Sequence, residues 1–480
     1  MSAASKSSLM PILLQLECHF TWKLLEEDVD LDDLEEAISA QIEFLIIKSK
    51  TTNYNFLAYV KQLKGKSEEA LECLQKAEEE VKAAHVDDPD RHSLVTWGNY
   101  AWVYYHMGKL SEAQSYISKI ESHCKKLSSP SRYKVQHPEI FSEQGWALLK
   151  FGVRYYERAK ECFVKALEKE PNNPEYNSGY AITVYRLENV AAKGSSGEDL
   201  SLEALRRALK LNPDNTFVMA LLALKLQDTN QVEEGERYIE KALQKTPDCP
   251  YVLRYAGKFY RRNGEVDKSL ECLKRGFRFT PTSGFLHHQV GLCYRTKLYE
   301  MKKVKNAPRK QIEELIKLGI FHFKMAVEQE SKFTFAYIDL TNMYAEENRL
   351  QEAEDTFQKA FKMDHLPCED KQWLHCRYGR FQQYHKKSES KAIEHYIQGL
   401  KIDKETHARN MCKDSLKKLI ERKISRGCAD AKSYGILGLI HKLNGEKLQA
   451  IECYEKAMGM EPDNEEYLSA LCEMRLSIEN

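Results

Sequence analysis

An all-α solenoid is the fold class this sequence predicts, on three observations. Leu, Glu, Lys and Ala recur throughout while Pro (13) and Gly (22) are sparse over 480 residues, which is the composition of helices. Apolar residues make up 42% of the chain, enough to bury a large core once segments pack together. A unit of about 34 residues also repeats: a small residue, an aromatic three positions on, then Ala, a large residue and Ala at fixed offsets on a second helix, and a closing Pro. That spacing is the tetratricopeptide pattern. Small residues let two antiparallel helices approach, large ones fill the gap, and proline ends the second helix.

Taken in order, Ala58, Ala70, Leu74 and Ala77 predict the first clear pair. Trp97, Ala101, Tyr104, Ala113 and Ile117 predict the next, and Ala147, Ala159, Phe163, Ala166 and Pro171 a third. The series continues through Ala223, Ala242 and Pro247, then Gly257, Tyr260 and Pro281, then Gly291, Tyr294, Phe323 and Ala326, then Tyr344, Ala353, Phe357 and Ala360. A looser copy spans Gly379, Ala392 and Tyr396, and a clean final one Gly438, Ala450, Tyr454, Ala457 and Pro462. No pair buries both faces alone, so the units stack into a superhelix whose first helices line a concave binding surface.

Three stretches break the period. Val190 to Leu200, containing GSSG, predicts a loop. Thr296 to Lys317, rich in Lys and Arg, predicts an extended helix or a reorientation of the later repeats. Glu405 to Asp430, with Lys413, Lys417, Lys418, Arg422 and Lys423, predicts a basic helix. The expected organisation is an N-terminal helical subdomain over 1–135, a middle superhelix forming a basic groove over 136–285, a pivot with a long inserted helical segment over 286–335, and a C-terminal repeat subdomain over 336–480.

Lys plus Arg and Asp plus Glu are equal at 72 each, so any polyanionic partner must be argued from where the charges sit. The apolar stretch from Leu9 to Leu16 contains Pro11 and is too short for a signal segment or a membrane span, which predicts a cytoplasmic protein. The 13 cysteines are scattered without a CxxC pair and read as reduced, packed thiols. Cys368, His375 and Cys376 lack the paired spacing of a zinc site, so neither metal nor cofactor is expected. A nucleophile elbow, a phosphate loop and an isolated pair of acids are all missing, and the acidic stretch Glu26 to Glu36 reads as a solvated helix start, so no enzyme is predicted.

The sharpest functional signal is YVLRYAGKFYRR after Pro250. Arg254, Lys258 and Arg261 recur at i, i+4 and i+7 on one face, with Tyr251 and Tyr255 between them. Cations for phosphate and rings for stacking suit single-stranded RNA, against the plainer reading of a solvated basic face. Neighbouring first helices add Lys150, Arg186, His288, Gln289 and Arg295. Lys150 stands three after Ala147, where other copies carry Tyr104 or Tyr260, and a lysine there needs an anion or an acidic partner. Trp146 fits either a helix-pair core or a base-stacking platform. His287 and His288 fit either a satisfied core or, in tandem on a basic inner face, ligand contact.

CHFTW at Cys18–Trp22, SLVTWGNYAWVYYHMG at Ser93–Gly108, GWALLKFG at Gly145–Gly152, AITVYRL at Ala181–Leu187, KFYRR at Lys258–Arg262 and FLHHQVGLCYR at Phe285–Arg295 together resemble the interferon-induced proteins with tetratricopeptide repeats. The resemblance runs from about Cys18 to Leu476 and is nearest to the branch that captures 5′ ends of foreign RNA, as a triphosphate or an incompletely methylated cap. It implies sequestration, not cleavage. By this resemblance Gln41, Lys150, Tyr156, Arg186, Arg254, Tyr255 and Gln289 would hold the 5′ phosphates, alongside Lys258 and Arg261 of the basic stripe. Trp146, Glu175 and Asn215 would lie around a cap base, and Phe285 and His288 would meet the first nucleotides. Other family members and translation factors are further implied partners. The chain departs from the pattern at Ala37, where the branch has a polar or basic residue, at Phe217, where the cap-binding member has tyrosine, and at Tyr454–Met458, which points away from hetero-assembly.

Two functions from different classes therefore stand: an antiviral RNA-binding protein that denies a non-self 5′ end to translation, and a repeat scaffold whose groove binds peptides or other family members. A single C-terminal carboxylate carries far less charge than a triphosphate, about four negative charges near neutral pH, and the number of cations favours the larger anion.

Overall fold

The computed structural model describes residues 6–44, 50–190, 200–364 and 366–479. Among these there are 25 α-helices, three short 3-10 turns and no strand. The chain forms two compact units, Met1–Ser331 and Lys332–Asn480.

Each predicted copy is a helix pair. Thr51–Leu63 packs on Ser67–Ala84, Leu94–His106 on Leu110–Lys126, Pro138–Lys150 on Tyr156–Lys169, Thr216–Asp228 on Val232–Lys245, and Pro250–Arg262 on Val266–Gly276. The small pattern residues Ala58, Ala101, Ala147, Ala223 and Ala242 are fully or almost fully buried. Phe163 shows how the units interlock. Its ring sits so close to Gly145 of its own pair and to Gly179 of the next that a Cβ on Gly179 would lie 2.2 Å from it; one ring thereby fixes the spacing of two successive first helices.

Gly179 also belongs to a pair absent from the predicted series, Pro174–Val190 with Leu200–Leu211. The GSSG stretch between these helices disguises their period, and its predicted loop lies outside the described residues. The basic break from Thr296 to Lys317 is mostly helix: Gly284–Lys303 and Arg309–Gln329 are 20 and 21 residues long and pack along each other. In the second unit, Thr334–Glu346 pairs with Leu350–Phe361, Cys368–Tyr384 with Glu389–Lys401, and Ala431–Leu443 with Lys447–Met460. The basic helix predicted near 405–430 is His407–Ser425.

The helix Leu31–Phe44 bridges the first unit. At one end Glu35 pairs with Lys61 (2.5 Å) and Lys64 (2.6 Å). At the other, the Phe44 ring meets Phe279 edge-on at 4.7 Å, while Glu36, next to Glu35, accepts from Thr282 Oγ1. Residues 246 positions apart are thus joined within the first unit. The reading of Glu26 to Glu36 as a merely solvated stretch is corrected here: Asp28 accepts from Arg154 and from the Tyr155 hydroxyl, and Glu35 holds two lysines.

Candidate nucleic-acid interface

The helix Pro250–Arg262 opens with proline at its first turn, where a missing N–H goes unmissed. Val252, Leu253, Ala256, Phe259 and Tyr260 are buried against neighbouring helices. The opposite stripe, Tyr251, Arg254, Tyr255, Lys258 and Arg261, is half-buried. The Arg254 guanidinium stands 4.2 Å from the Phe285 ring centre, 5.0 Å from Tyr255 and 5.4 Å from Tyr251. It also donates to the Tyr255 hydroxyl at 3.4 Å. Arg261 donates to Gln289 Oε1 at 3.5 Å, and Tyr251 stacks on Phe217 with ring centres 3.3 Å apart.

Lys150 is the last residue of Pro138–Lys150, so its charge sits at the negative end of the helix dipole. Its ammonium donates to Asn53 Oδ1 at 2.7 Å and lies 5.0 Å from the Phe56 ring. Arg186, from the first helix of the next pair, donates to the Leu149 carbonyl at 3.2 Å and lies 5.8 Å from the Tyr156 ring. The first helices of three repeats thus converge on one space.

Lys150, Arg186, Tyr251 and Tyr255 are crowded by protein on every side yet keep part of their surface in contact with solvent. Glu175 goes further: it is surrounded and still exposed. Such side chains line a crowded groove that still touches solvent. In such a space water screens charge poorly.

The proton affinities follow. Burial pulls the Lys150 ammonium down to about 8, against the upward pull of Glu143 and Glu175 and with a further push from Arg186. Burial raises the Glu143 carboxyl to about 7 and lifts Glu175 as well. Burial would raise the Tyr255 phenol, but Arg254, Arg186 and Lys258 outweigh it and bring it down to about 7. A phenol driven that low reports how densely cations surround it, even with Glu143 and Glu175 near Lys150, Asp228 near Lys258 and Glu330 near Arg254. Lys258 is itself lowered, mainly by burial. Among the described residues the buried Arg254 Nε finds no hydrogen-bond partner, and the Tyr251 hydroxyl and Trp146 indole N–H lie near Tyr255 and Glu175 without full hydrogen-bond geometry.

Lys150, Arg186, Arg254, Tyr255, Lys258 and Tyr156 are therefore neighbours, with Phe285 beside Arg254 and Gln289 beside Arg261. Glu175 lies close to the Trp146 indole N–H, short of full hydrogen-bond geometry. Trp146 also meets Phe163 edge-on at 5.4 Å, so it is part of the helix-pair packing as well as of the wall. Asn215 is engaged structurally: it caps Thr216–Asp228 by accepting from the Val218 N–H and donates to the Ser178 hydroxyl. Gln41 is half-buried on the bridging helix, where Ala37 is exposed. The tandem histidines separate. His288 is buried, 5.6 Å from Phe323, while His287 turns to His322 at 3.0 Å and packs on Phe277.

Sequence reasoning missed Asn53 and Glu143, both next to Lys150. Glu143 was detectable, because it stands seven residues before Lys150 and hence on the same helix face. Asn53 comes from a different repeat, and no local pattern points to it.

Comparison with known proteins bears on the whole chain. A family model described as Tetratricopeptide repeat matches residues 431–464. The chain is 50% identical over 456 residues to human Protein IFIT1 homolog B, covering 94% of this chain and 96% of that protein. It is 48% identical over 458 residues to human Antiviral innate immune response effector IFIT1, with the same coverage of 94% and 96%. It is 42% identical over 465 residues to human Interferon-induced protein with tetratricopeptide repeats 2, covering 95% and 97%. Its fold matches the human IFIT1 dimer with m7Gppp-AAAA at a TM-score of 0.87 and 48% identity, covering 95% of this chain and 100% of that one. The human IFIT1 dimer with PPP-AAAA matches at 0.84 and 47%, with the same coverage of 95% and 100%.

Proposed function

The chain belongs to the family of interferon-induced proteins with tetratricopeptide repeats, and we propose that it acts in antiviral defence by taking a non-self 5′ end of single-stranded RNA into the groove of its first unit. The end carries a triphosphate or an incompletely methylated cap, and its capture withholds the RNA from translation in the cytoplasm. Lys150, Arg186 and Arg254 hold the phosphates, with Tyr156, Tyr255, Gln41 and Gln289 as further polar partners and Lys258 and Arg261 on the following charges. Trp146, Glu175 and Asn215 surround a cap base; Phe285 and His288 meet the first nucleotides. The proposed action is binding without bond cleavage. Association with other family members is part of the reading, since human IFIT1 is a dimer in both structures.

One observation carries this: the cations around Tyr255 are numerous enough to bring its phenol down to about 7. A triphosphate supplies about four negative charges near neutral pH and matches that density of cations, where a peptide carboxylate supplies one. Binding of a single short RNA bearing a hydroxyl, monophosphate, triphosphate or cap at its 5′ end tests the proposal. Two charge-assisted contacts at about 1.5 kcal/mol each predict roughly 100-fold preference for triphosphate or cap over hydroxyl. With about five phosphates held, log affinity should fall against log salt with a slope near −3.5. Equal affinity for all four ends, or a flat salt response, refutes the reading.

A further inference from the structure

The helix pair Gly284–Lys303 and Arg309–Gln329 ends in a cationic tip that the RNA site does not use. Its register follows from the closest approach of its helices. Gly257 meets Leu273 in the preceding pair, and Gly291 meets Phe323 in this one. Past that contact, Gly257 is followed by five residues of its helix and Gly291 by twelve, while Leu273 is preceded by seven residues of its helix and Phe323 by fourteen. Both helices are therefore lengthened at the same end, toward the turn that joins them. At about 1.5 Å per residue the turn stands about 10 Å beyond that of the preceding pair.

Lys302, Lys303, Lys305, Arg309 and Lys310 gather at this turn, and no acid interrupts them between Glu300 and Glu313. All five are exposed. Lower on the shaft the charge is neutralised, with Lys297 paired to Asp267 at 2.6 Å. At the tip Arg309 reaches Glu313 at 2.9 Å, while Lys303, Lys305 and Lys310 form no ion pair among the described residues. Placement concentrates the charge further: Arg309 and Lys310 open a helix that has no acid in its first turn, so they add to the positive end of its dipole. The turn itself is hydrogen-bonded. Val304 N–H donates to the Met301 carbonyl at 3.0 Å and Ala307 N–H to the Val304 carbonyl at 3.3 Å, around Asn306 at φ +65°. Val304, between Lys303 and Lys305, is 61% exposed. An apolar side chain thus stands in the turn with cations on both sides.

We infer that this tip docks on an anionic lipid bilayer, with its five cations among the headgroups and Val304 in the interfacial layer. Clustered cations around an exposed apolar residue are what reversible attachment to such a surface needs. Residues 302–310 include no aromatic ring, so the tip lacks the stacking platform of a single-strand RNA site. On a convex turn one extended acidic peptide reaches only some of the cations and leaves Val304 in water. A flat anionic surface meets them together. The inference stands apart from the RNA site and does not rest on it.

The test mixes the full chain with sucrose-loaded vesicles of phosphatidylcholine containing ~30% phosphatidylserine, or of phosphatidylcholine alone, and measures the sedimented fraction. At about fivefold per cation, five contacts predict a partition constant on the order of 10³ M⁻¹, so ~1 mM accessible lipid at ~50 mM salt should hold half or more of the protein. Phosphatidylcholine alone should hold little, and ~0.5 M salt should release what the anionic vesicles hold. The triple variant Lys303→Gln, Lys305→Gln, Lys310→Gln should bind about 100-fold more weakly and melt with the parent, since the altered side chains are exposed. Val304→Trp should bind at least about threefold more tightly, because an indole settles at the headgroup level. Equal binding to both vesicles, a triple variant that still sediments, or a Val304→Trp chain that binds no tighter than the parent overturns the inference. So does a labelled polyglutamate peptide that the parent binds more tightly than the vesicles at equal salt and the triple variant releases, which would make the partner an acidic protein segment.

Discussion

Replacing Lys150 with methionine separates binding from stability in a way the geometry lets one calculate. Holding the ammonium near 8 instead of 10.5 disfavours its charged form by about 3 kcal/mol, at about 1.4 kcal/mol per pH unit. The sign is that of a base lowered by folding. Below pH 8 the lysine is protonated in both folded and unfolded chains and the whole penalty applies; it fades between pH 8 and 10.5. Lys150→Met removes it at pH 7. Against that, the Asn53 carbonyl loses its donor, at about 1–3 kcal/mol for an unsatisfied buried acceptor. Glu143 loses a nearby cation, but a carboxyl already near 7 escapes by binding a proton, so no charge is stranded as it would be in a dry ion pair. The opposing effects leave the folded state within about 2 kcal/mol of the parent. For the compact unit Met1–Ser331, an unfolding entropy of about 2.1 cal/mol/K per residue makes that a change of about 3 °C or less in Tm. Binding should respond far more. Removing one partner of an enclosed charge contact costs about 2–5 kcal/mol, which raises the Kd for triphosphate RNA by about 30-fold to 4,000-fold. Calorimetric melting of the free protein beside titration with a triphosphate oligonucleotide reads both quantities. A Tm lowered by more than about 10 °C, or a Kd changed less than threefold, would show that Lys150 belongs to the core and not to an anion site.

The Tyr255 phenol, at about 7, ionises across the physiological range and then cancels one of the cations around it. Triphosphate affinity should therefore fall as pH rises above 7, by at most about tenfold per pH unit, with Lys150 adding to the fall above about 8. In Tyr255→Phe the portion between 7 and 8 should vanish, and a persisting fall there would assign the effect elsewhere. Trp146→Ala should weaken capped RNA by about tenfold or more, from the 1–3 kcal/mol of a lost base stack, and spare triphosphate RNA; the missing contact with Phe163 should also lower Tm. Equal losses for both ends would leave Trp146 a packing residue only. Burial and Asp33 raise the Glu330 carboxyl to about 7, so folding is penalised progressively from pH 4.5 to 7 and fully above. Glu330→Gln should accordingly raise Tm by a few degrees at pH 8 and leave it unchanged at pH 4; no difference at pH 8 would contradict the burial of that charge.

The helix pairs were legible because the pattern residues are the contacts themselves: Ala58, Ala101, Ala147 and Ala223 occur where two helices touch, and no distant partner decides their fate. Pro174–Val190 and Leu200–Leu211 escaped notice because an insert displaced the second helix from its expected offset, although Gly179 marks the close approach to Phe163. Half of the candidate site was legible for the same reason. Arg254, Lys258 and Arg261 announce a face by spacing alone, and Lys150 stands out by occupying an aromatic's place. Whether a residue of that face reaches the shared space, packs, or caps a helix depends on neighbours from other repeats, which is why Asn53 went unseen and Asn215 has a capping role that its family resemblance does not suggest. His287 and His288 illustrate the limit: adjacent residues on a helix point about 100° apart, so tandem placement could not put both on the inner face.

A chain with equal numbers of acids and bases gains nothing for RNA from its net charge, so selectivity must come from enclosure. The bridging helix Leu31–Phe44 is tied to Lys61 and Lys64 and to Phe279 and Thr282, and the cations themselves are crowded by the helices that carry them, where water screens charge poorly. Burial weakens the hold of Lys150 and Lys258 on their protons, and the cations around Tyr255 pull its phenol toward ionisation. A polyanion entering the space reverses both effects: it raises the affinity of Lys150 for its proton and returns the phenol to its neutral, donating form. Binding is thus coupled to proton retention, and the same crowding that perturbs the free site supplies the driving force for filling it. A crowded space also favours entry by a chain terminus over a chain presented side-on. An internal phosphate carries one charge and a continuing strand on both flanks, whereas a triphosphate terminus brings about four charges on a single leading end. Enclosure and charge density therefore select the same feature of an RNA, its 5′ terminus, without any need to read its sequence.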